Sequence, residues 1–417
     1  MEAVQIQHPI LRPVAFRAED DGLSPEQAAV FAVLANPSLR AVRDARGLAG
    51  AQVIQAGILP NPQLSPSLDL PLGNSPALGI RTAYGLNLNW DVTALFSRAA
   101  KLEAARAHAA SIDLSVAWQE WQTAEAAKLA VYQLDSLQKQ VALVREIEGG
   151  FRREADLLRQ AVERHDKTEA ELAPAQAAAD QAVSDRLLLE QAEADARLVL
   201  NQALGLPPAA RVKLRAGIRL PGAAALERLA ARADLAGGME DRRLDLVALR
   251  LGYQSEEATL RAAVRAQFPK VTLGLTRASD NSKLRSLGPN AVIDLPFFDR
   301  NQGNVAIEKA TRQQLFDDYV ARVYAARNDI AKAATDLRFA VRREGAARDA
   351  IPNLERLSKT YETEEGAGEV DALVASGARQ SVGAKRLEAE KLRAELATLL
   401  VALELASGQP SLTLQKR

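Results

Sequence analysis

The sequence predicts an α+β membrane protein in which four β-strands accompany very long coiled-coil helices, and three observations carry that reading. One order of elements runs twice along the 417 residues, about 200 residues apart. Each copy holds two stretches of apolar–polar alternation. Each copy also holds helical stripes sustained over many turns. A duplicated chain with four strands and such helices is not an ordinary globular enzyme.

The repeat is in register throughout. Leu59-Pro60-Asn61-Pro62 opens the first strand pair and Phe268-Pro269-Lys270 the second. Trp90-Asp91-Val92 to Phe96-Ser97-Arg98 closes the first pair, and Ile293-Asp294-Leu295 to Phe298-Asp299-Arg300 the second. The helical arms end at Leu204-Gly205 and Ser407-Gly408, and all these offsets lie between 202 and 209. The expected organisation is an extended tail at 1–23, repeat one at 24–208, a linker at 209–240, repeat two at 241–408 and a tail at 409–417.

Strands are expected at about 63–72, 81–92, 269–277 and 290–298. In the second, Tyr84, Leu86, Leu88 and Trp90 alternate with Gly85, Asn87, Asn89 and Asp91. Period-two alternation places one face in an apolar medium and the other in water. Strand lengths of about 8 to 12 residues suit a tilted bilayer crossing. The bland alternative is two soluble hairpins, each covering a helix. Against it, the expected connections around 72–80 and 278–289 are longer than a two-residue turn and rich in Gly, Asn, Ser and Pro. Four strands cannot close a barrel, and open edges are not tolerated in lipid. Several protomers must then contribute strands, and alternation alone does not fix their number.

Long helices are expected at about 97–163, 167–204, 301–362 and 369–406. From Leu134 through Leu137, Val141, Val144, Glu148, Phe151, Ala155 and Leu158 to Val162 runs a heptad broken only by Glu148. Phe316, Val320, Val323, Arg327, Ile330, Ala334, Leu337 and Val341 repeat that spacing, with Arg327 the exception. At 1.5 Å per residue the first helix is on the order of 100 Å long. The turns fall at Arg164-His165-Asp166 and Gly366-Ala367-Gly368, with Asp166 and Glu169 as the expected capping box. Gly149-Gly150, Pro174 and Pro352 should each bend or weaken a helix, with Pro352 read as a kink.

Composition excludes several chemistries. Fifty-three basic and 53 acidic residues give no electrostatic reason to expect nucleic acid. Without cysteine there is no disulfide, thiolate metal site or Cys nucleophile. His8, His108 and His165 lie far apart, and no catalytic, cofactor or metal constellation is visible. No stretch approaches the roughly 18 apolar residues of a membrane helix. The first residues lack the basic flank and apolar core of a signal peptide, which leaves a cytosolic protein or a mature segment given a start Met.

These residues resemble the TolC family of outer-membrane efflux ducts. The resemblance rests on Asn36-Pro37-Ser38-Leu39, on Gln55-Ala56-Gly57-Ile58-Leu59-Pro60-Asn61-Pro62 before the first strand, on Val370-Asp371-Ala372-Leu373, and on the two-copy order, and it covers roughly residues 24–408. The Ala-Gly-Ile-Leu-Pro-Asn-Pro segment is most similar to the CzcC-like heavy-metal branch. The resemblance implies a TolC-like α/β-barrel: a homotrimer with a 12-stranded barrel in outer-membrane lipid and a helical tunnel across the periplasm. It implies docking of a periplasmic adaptor at the hairpin tips, and through the adaptor an inner-membrane resistance–nodulation–division pump. The family's chains follow a signal peptide, so the segment is expected to be trimmed. The implied function is passive exit of metal cations, with drugs, small molecules or type I secretion as the runner-up.

Site residues follow from that resemblance. Asp371 matches the constriction position, with Glu369 and Glu365 extending an acidic rim and Val374 where the family has a second carboxylate. Three like carboxylates in a ring repel one another and attract cations. Arg164, His165, Asp166, Lys167 and Glu169 on the first tip, with Gly366 and Gly368 on the second, are the adaptor-docking candidates. Solvated tip charge is the competing reading for each. Tyr84 and Trp90 are expected at the lipid interface, and Trp118 and Trp121 as packing residues. The rival from another class is a soluble coiled-coil scaffold, which leaves four alternating strands at matched places unexplained.

Overall fold

The computed structural model describes residues 22–70, 82–232, 235–367 and 370–410. The order is α1 (Pro25–Ala35), α2 (Pro37–Gly57), β1 (Gln63–Asp69), β2 (Ala83–Asp91), α3 (Thr93–Glu163) and α4 (Glu169–Leu204). Two short helices follow, α5 (Ala223–Ala230) within the segment read from sequence as a linker and α6 (Met239–Arg242) across its end. The second copy is α7 (Leu244–Arg265), β3 (Lys270–Ser279), β4 (Arg285–Asp294), α8 (Gln302–Gly366) and α9 (Ala372–Ser407). The chain divides into two units that interleave the copies: 1–41, 117–243 and 324–417 in one, and 42–116 with 244–323 in the other.

In the first unit, helix ends follow local chemistry. Ser24 caps α1, its Oγ accepting from the Gln27 N–H while the Gln27 side chain accepts from the Ser24 N–H. The Asn36 carboxamide oxygen accepts from the Ser38 N–H at 2.9 Å, and its Nδ2 donates to the Ala203 carbonyl. Gly205 ends α4 at φ +68, where a Cβ would lie 2.7 Å from Pro37 Cδ and 2.9 Å from the Ala35 carbonyl. Gly408 does the same for α9 at φ +67. A core of Ala28, Ala32, Val131, Leu134, Leu200, Leu204 and Ala397 sits among α1, α3, α4 and α9.

The first heptad is the buried seam it promised. Leu134, Val141, Val144, Ala155 and Leu158 are buried, and so is the exception, Glu148. Its carboxylate meets Arg186 of α4 at 2.6 Å and Arg152 at 2.7 Å, which replaces an apolar layer by a paired one. The second seam behaves otherwise. Ile330, Leu337 and Val341 are buried, but Arg327 is exposed and pairs with Glu240, while Phe316 and Val320, in the other unit, are each 49% exposed. The 4-3 spacing is real there, yet at Phe316 and Val320 the described residues cover only about half of each side chain, Tyr253 meeting the Phe316 ring at 6.5 Å. Pro352 and Pro174 lie inside unbroken helices. The expected Asp166–Glu169 capping box is corrected to Thr168 and Glu171: the Glu171 carboxylate accepts from the Thr168 N–H at 2.8 Å and its hydroxyl at 3.0 Å.

The second unit holds one antiparallel sheet in the order β1-β2-β3-β4. Central pairing between the copies runs from Tyr84↔Ser279 to Asp91↔Thr272. β4 starts five residues before the expected 290, and the long loop expected at 278–289 reduces to a turn over 280–284. Gly288 and Pro289 misled the sequence reading. Within this chain's sheet Pro289 is tolerated because β4 is the edge strand, where the missing N–H need cost no bond to β3. The expected loop at 72–80 lies outside the described residues.

Candidate functional site

Two regions concentrate the predicted residues, one in each unit. The first is the pair of hairpin tips. α3 closes through His165, whose φ of +61 places it in the left-handed region. Asp371 then serves as the N-cap of α9, its Oδ1 accepting from the Leu373 N–H at 3.0 Å. Its other oxygen lies 3.7 Å from Lys167 Nζ, and the same ammonium meets Glu171 at 3.1 Å. The Glu171 carboxylate, with Asp371 beside it, holds the Lys167 ammonium above its ordinary range, and Thr168 and Lys167 together hold Glu171 below its own. Asp371 is thus a cap and a partner of the first tip rather than an idle surface charge.

The remaining tip residues divide. Glu365 is held 3.3 Å from Arg379, which also faces Glu362 at 3.8 Å. Val374 is exposed, whereas Leu373 packs against the Ala155, Leu158 and Leu172 cluster. Arg164, His165, Asp166 and Glu169 are exposed on the first tip, and Gly366 on the second. Glu369 and Gly368 lie outside the described residues. Among the described residues no group of His, Asp and Glu is arranged to hold a metal ion.

A buried charge cluster in the same unit escaped the sequence reading. Lys128 Nζ donates to Glu125 Oε1 at 2.9 Å and to Glu404 Oε2 at 2.6 Å, and lies 6.0 Å from the Trp121 ring centroid. Burial pushes the Glu125 carboxyl up to about 8, against the pull of Lys128 and with the push of Glu404. Its Oε2 is buried without a hydrogen-bond partner. Glu125 and Lys128 stand three apart in a helix, which in sequence reads as a solvated pair. Trp118 and Trp121 are buried, as expected of packing residues.

The second region is the sheet. Pairing gathers Leu64, Leu88, Leu275 and Pro289 into one row and Pro66, Leu86, Arg277 and Leu287 into the next. Leu68, Leu86, Leu273 and Ile293 share this face, and its leucines and Ile293 are 41–69% exposed. The opposite face carries Asn87, Asn89, Thr272, Thr276 and Asn290. Thr276 Oγ1 donates to Asn87 at 2.6 Å and Asn290 Nδ2 to Asn89 at 3.1 Å. Tyr84 is exposed on the apolar face, and Trp90 Nε1 donates to the Pro60 carbonyl at 2.8 Å. Phe96, Phe268, Phe297 and Phe298, all at strand ends that adjoin helices, are 69–96% exposed. This aromatic girdle was also missed, although three of the four rings stand in the segments that define the repeat.

Solved structures share this arrangement over almost the whole chain. The outer-membrane channel OprN superposes with a TM-score of 0.75 at 18% identity, covering 92% of this chain and 89% of its own. The fold is TolC-like. CusC, studied for folding and transmembrane channel formation, gives a TM-score of 0.70 at 19% identity over 98% of this chain and 99% of its own. The Campylobacter jejuni outer-membrane channel CmeC gives 0.76 at 13% identity, over 95% of this chain and 90% of its own. Residues 235–409 match the family described as Outer membrane efflux protein. No curated protein matches by sequence. Among the described residues no helix is long and apolar enough to cross a membrane.

Proposed function

We propose that three copies of this chain form an outer-membrane channel, the passive exit duct of a tripartite efflux system. The observation that carries the reading is the sheet: one face is apolar and exposed, the other polar and hydrogen-bonded, and β1 and β4 have open outer edges. Lipid tolerates the first face and forbids the last feature, so closure must come from further copies. Three sheets of four strands give twelve, a number that suits the channel-like fold. Phe316 and Val320, exposed on an otherwise regular heptad, are the contacts a second copy would cover. The hairpin tips would receive a periplasmic adaptor, which couples the duct to an inner-membrane resistance–nodulation–division pump. No chemical step is needed from the duct itself.

Within that reading Asp371 is the constriction residue. Three copies around an axis bring three carboxylates together, and Lys167 moderates their repulsion within each chain. Metal cations are the proposed cargo, drawn by the acidic rim and released because nothing described at the tip can chelate them. The test is reconstitution in planar bilayers. Wild-type protein should insert as a species of three chain masses and show small, cation-preferring conductance. Asp371→Ala should raise that conductance. An unchanged value would remove Asp371 as the gate, while protein that stays monomeric without detergent would remove the channel.

A further inference from the structure

We propose that Arg277 and Arg285 form a docking site for the phosphate groups of an anionic glycolipid in the outer leaflet, an inference that rests on the membrane reading of the sheet. The register isolates the pair. On the apolar face the rows run Val271–Ile293, then Trp90–Leu273–Ala291, then Leu64–Leu88–Leu275–Pro289, all without charge. Charge enters only in the next two rows, Pro66–Leu86–Arg277–Leu287 and Leu68–Tyr84–Ser279–Arg285. Both charges are arginine, and no acid shares the face.

Distance places them at a boundary. β3 has nine steps from Lys270 to Ser279, about 30 Å at 3.4 Å per residue. A tilt of about 40° reduces this to about 23 Å, close to the ~25 Å apolar band of membrane strands. With the Phe268 and Phe297 girdle at one end, the Ser279–Arg285 row falls at the other. Arg277, one row inside, reaches the same level by extending its side chain. The two arginines are diagonal neighbours on adjacent strands, roughly 7–8 Å apart, so both can engage one phosphorylated headgroup.

The guanidiniums are available. Both are exposed, and among the described residues neither has a hydrogen-bond or ion-pair partner. Elsewhere in the unit Arg46, Arg261 and Arg322 each meet a carboxylate. The nearest acid in the chain, Asp280, is held by the turn: its Oδ1 accepts from the Ser282 N–H, the Ser282 hydroxyl and the Leu284 N–H. A cation at the edge of hydrocarbon with no protein partner is matched by a lipid anion, and the planar fork of arginine suits phosphate in bidentate fashion.

The experiment places the purified trimer in nanodiscs of phosphatidylcholine alone or with added lipid A, dephosphorylated lipid A, or phosphatidylglycerol. Readouts are the melting midpoint and the lipid retained in native mass spectrometry. Lipid A should raise the midpoint and remain bound, and Arg277→Gln with Arg285→Gln should weaken its retention at least tenfold. The double Lys variant, which keeps charge but loses the fork, should fall between. Equal retention by the Gln variant, or by dephosphorylated lipid A, would overturn the site. Equal stabilisation by phosphatidylglycerol would overturn the glycolipid as its ligand. Protein that enters no disc of any composition would instead defeat the membrane reading on which the site rests.

Discussion

Replacing Lys128 by Met should be among the most damaging single changes in this chain that leave its shape intact. Methionine matches the length of the lysine stem, so packing against Trp121 survives. What is lost is the ammonium between Glu125 and Glu404, whose side chains are 2% and 3% exposed. Breaking a buried pair by removing one partner costs about 3–5 kcal/mol. A second route gives a similar figure. A buried carboxylate deprived of its cation escapes by taking a proton, and holding an ordinary glutamate (pKa ~4.3) protonated at pH 7 costs about 3.7 kcal/mol. The two routes agree within their precision. Thermal unfolding in detergent, followed by circular dichroism at 222 nm, should show a fall of several degrees at pH 7. Lys128→Met combined with Glu404→Leu should recover most of it, because Glu125 alone can stay neutral. A single variant melting within a degree of wild type would refute the argument, and so would a double variant no better than the single.

Glu125 also predicts a pH dependence. Its folded value of about 8 lies above its unfolded one, so the folded state holds the extra proton between about 4.5 and 8. Stability therefore falls as pH rises through that window, by at most about 1.4 kcal/mol per unit, and levels off above it. Glu125→Gln should flatten the melting midpoint over the same range. Gly274→Ala should lower the midpoint, since a Cβ there would press on the side-chain oxygens of Asn89 and Asn290 and lie 2.6 Å from the Leu88 carbonyl; Gly288→Ala, in open space, should not. Leu88→Lys should cost about 2–4 kcal/mol of insertion stability in vesicles and Asn87→Lys little, because the proposed membrane placement sets the two neighbours in opposite media.

Several expectations survived contact with the fold because they depend on local rules. Heptads and the glycines at 205 and 408 fixed the long helices to within a few residues, since periodicity and left-handed caps act over one or two turns. Errors arose where a neighbour decided. Gly288-Pro289 reads as a turn unless β4 is known to be an edge. Phe316 and Val320 read as core unless the chain is known to leave them half exposed. Asp371 reads as a free gate charge, and only the tip geometry reveals the bonds to Leu373 and Lys167.

The amino-acid order by itself determined the duplication, the alternating strands and the long helical arms, because each is written in spacings that a single element enforces. Tertiary structure alone decided which strands pair across the copies, which charges are buried, and which arginines are left without partners among the described residues. Those outcomes join residues up to 276 positions apart, as in Lys128 and Glu404, and no local rule of spacing reaches that far.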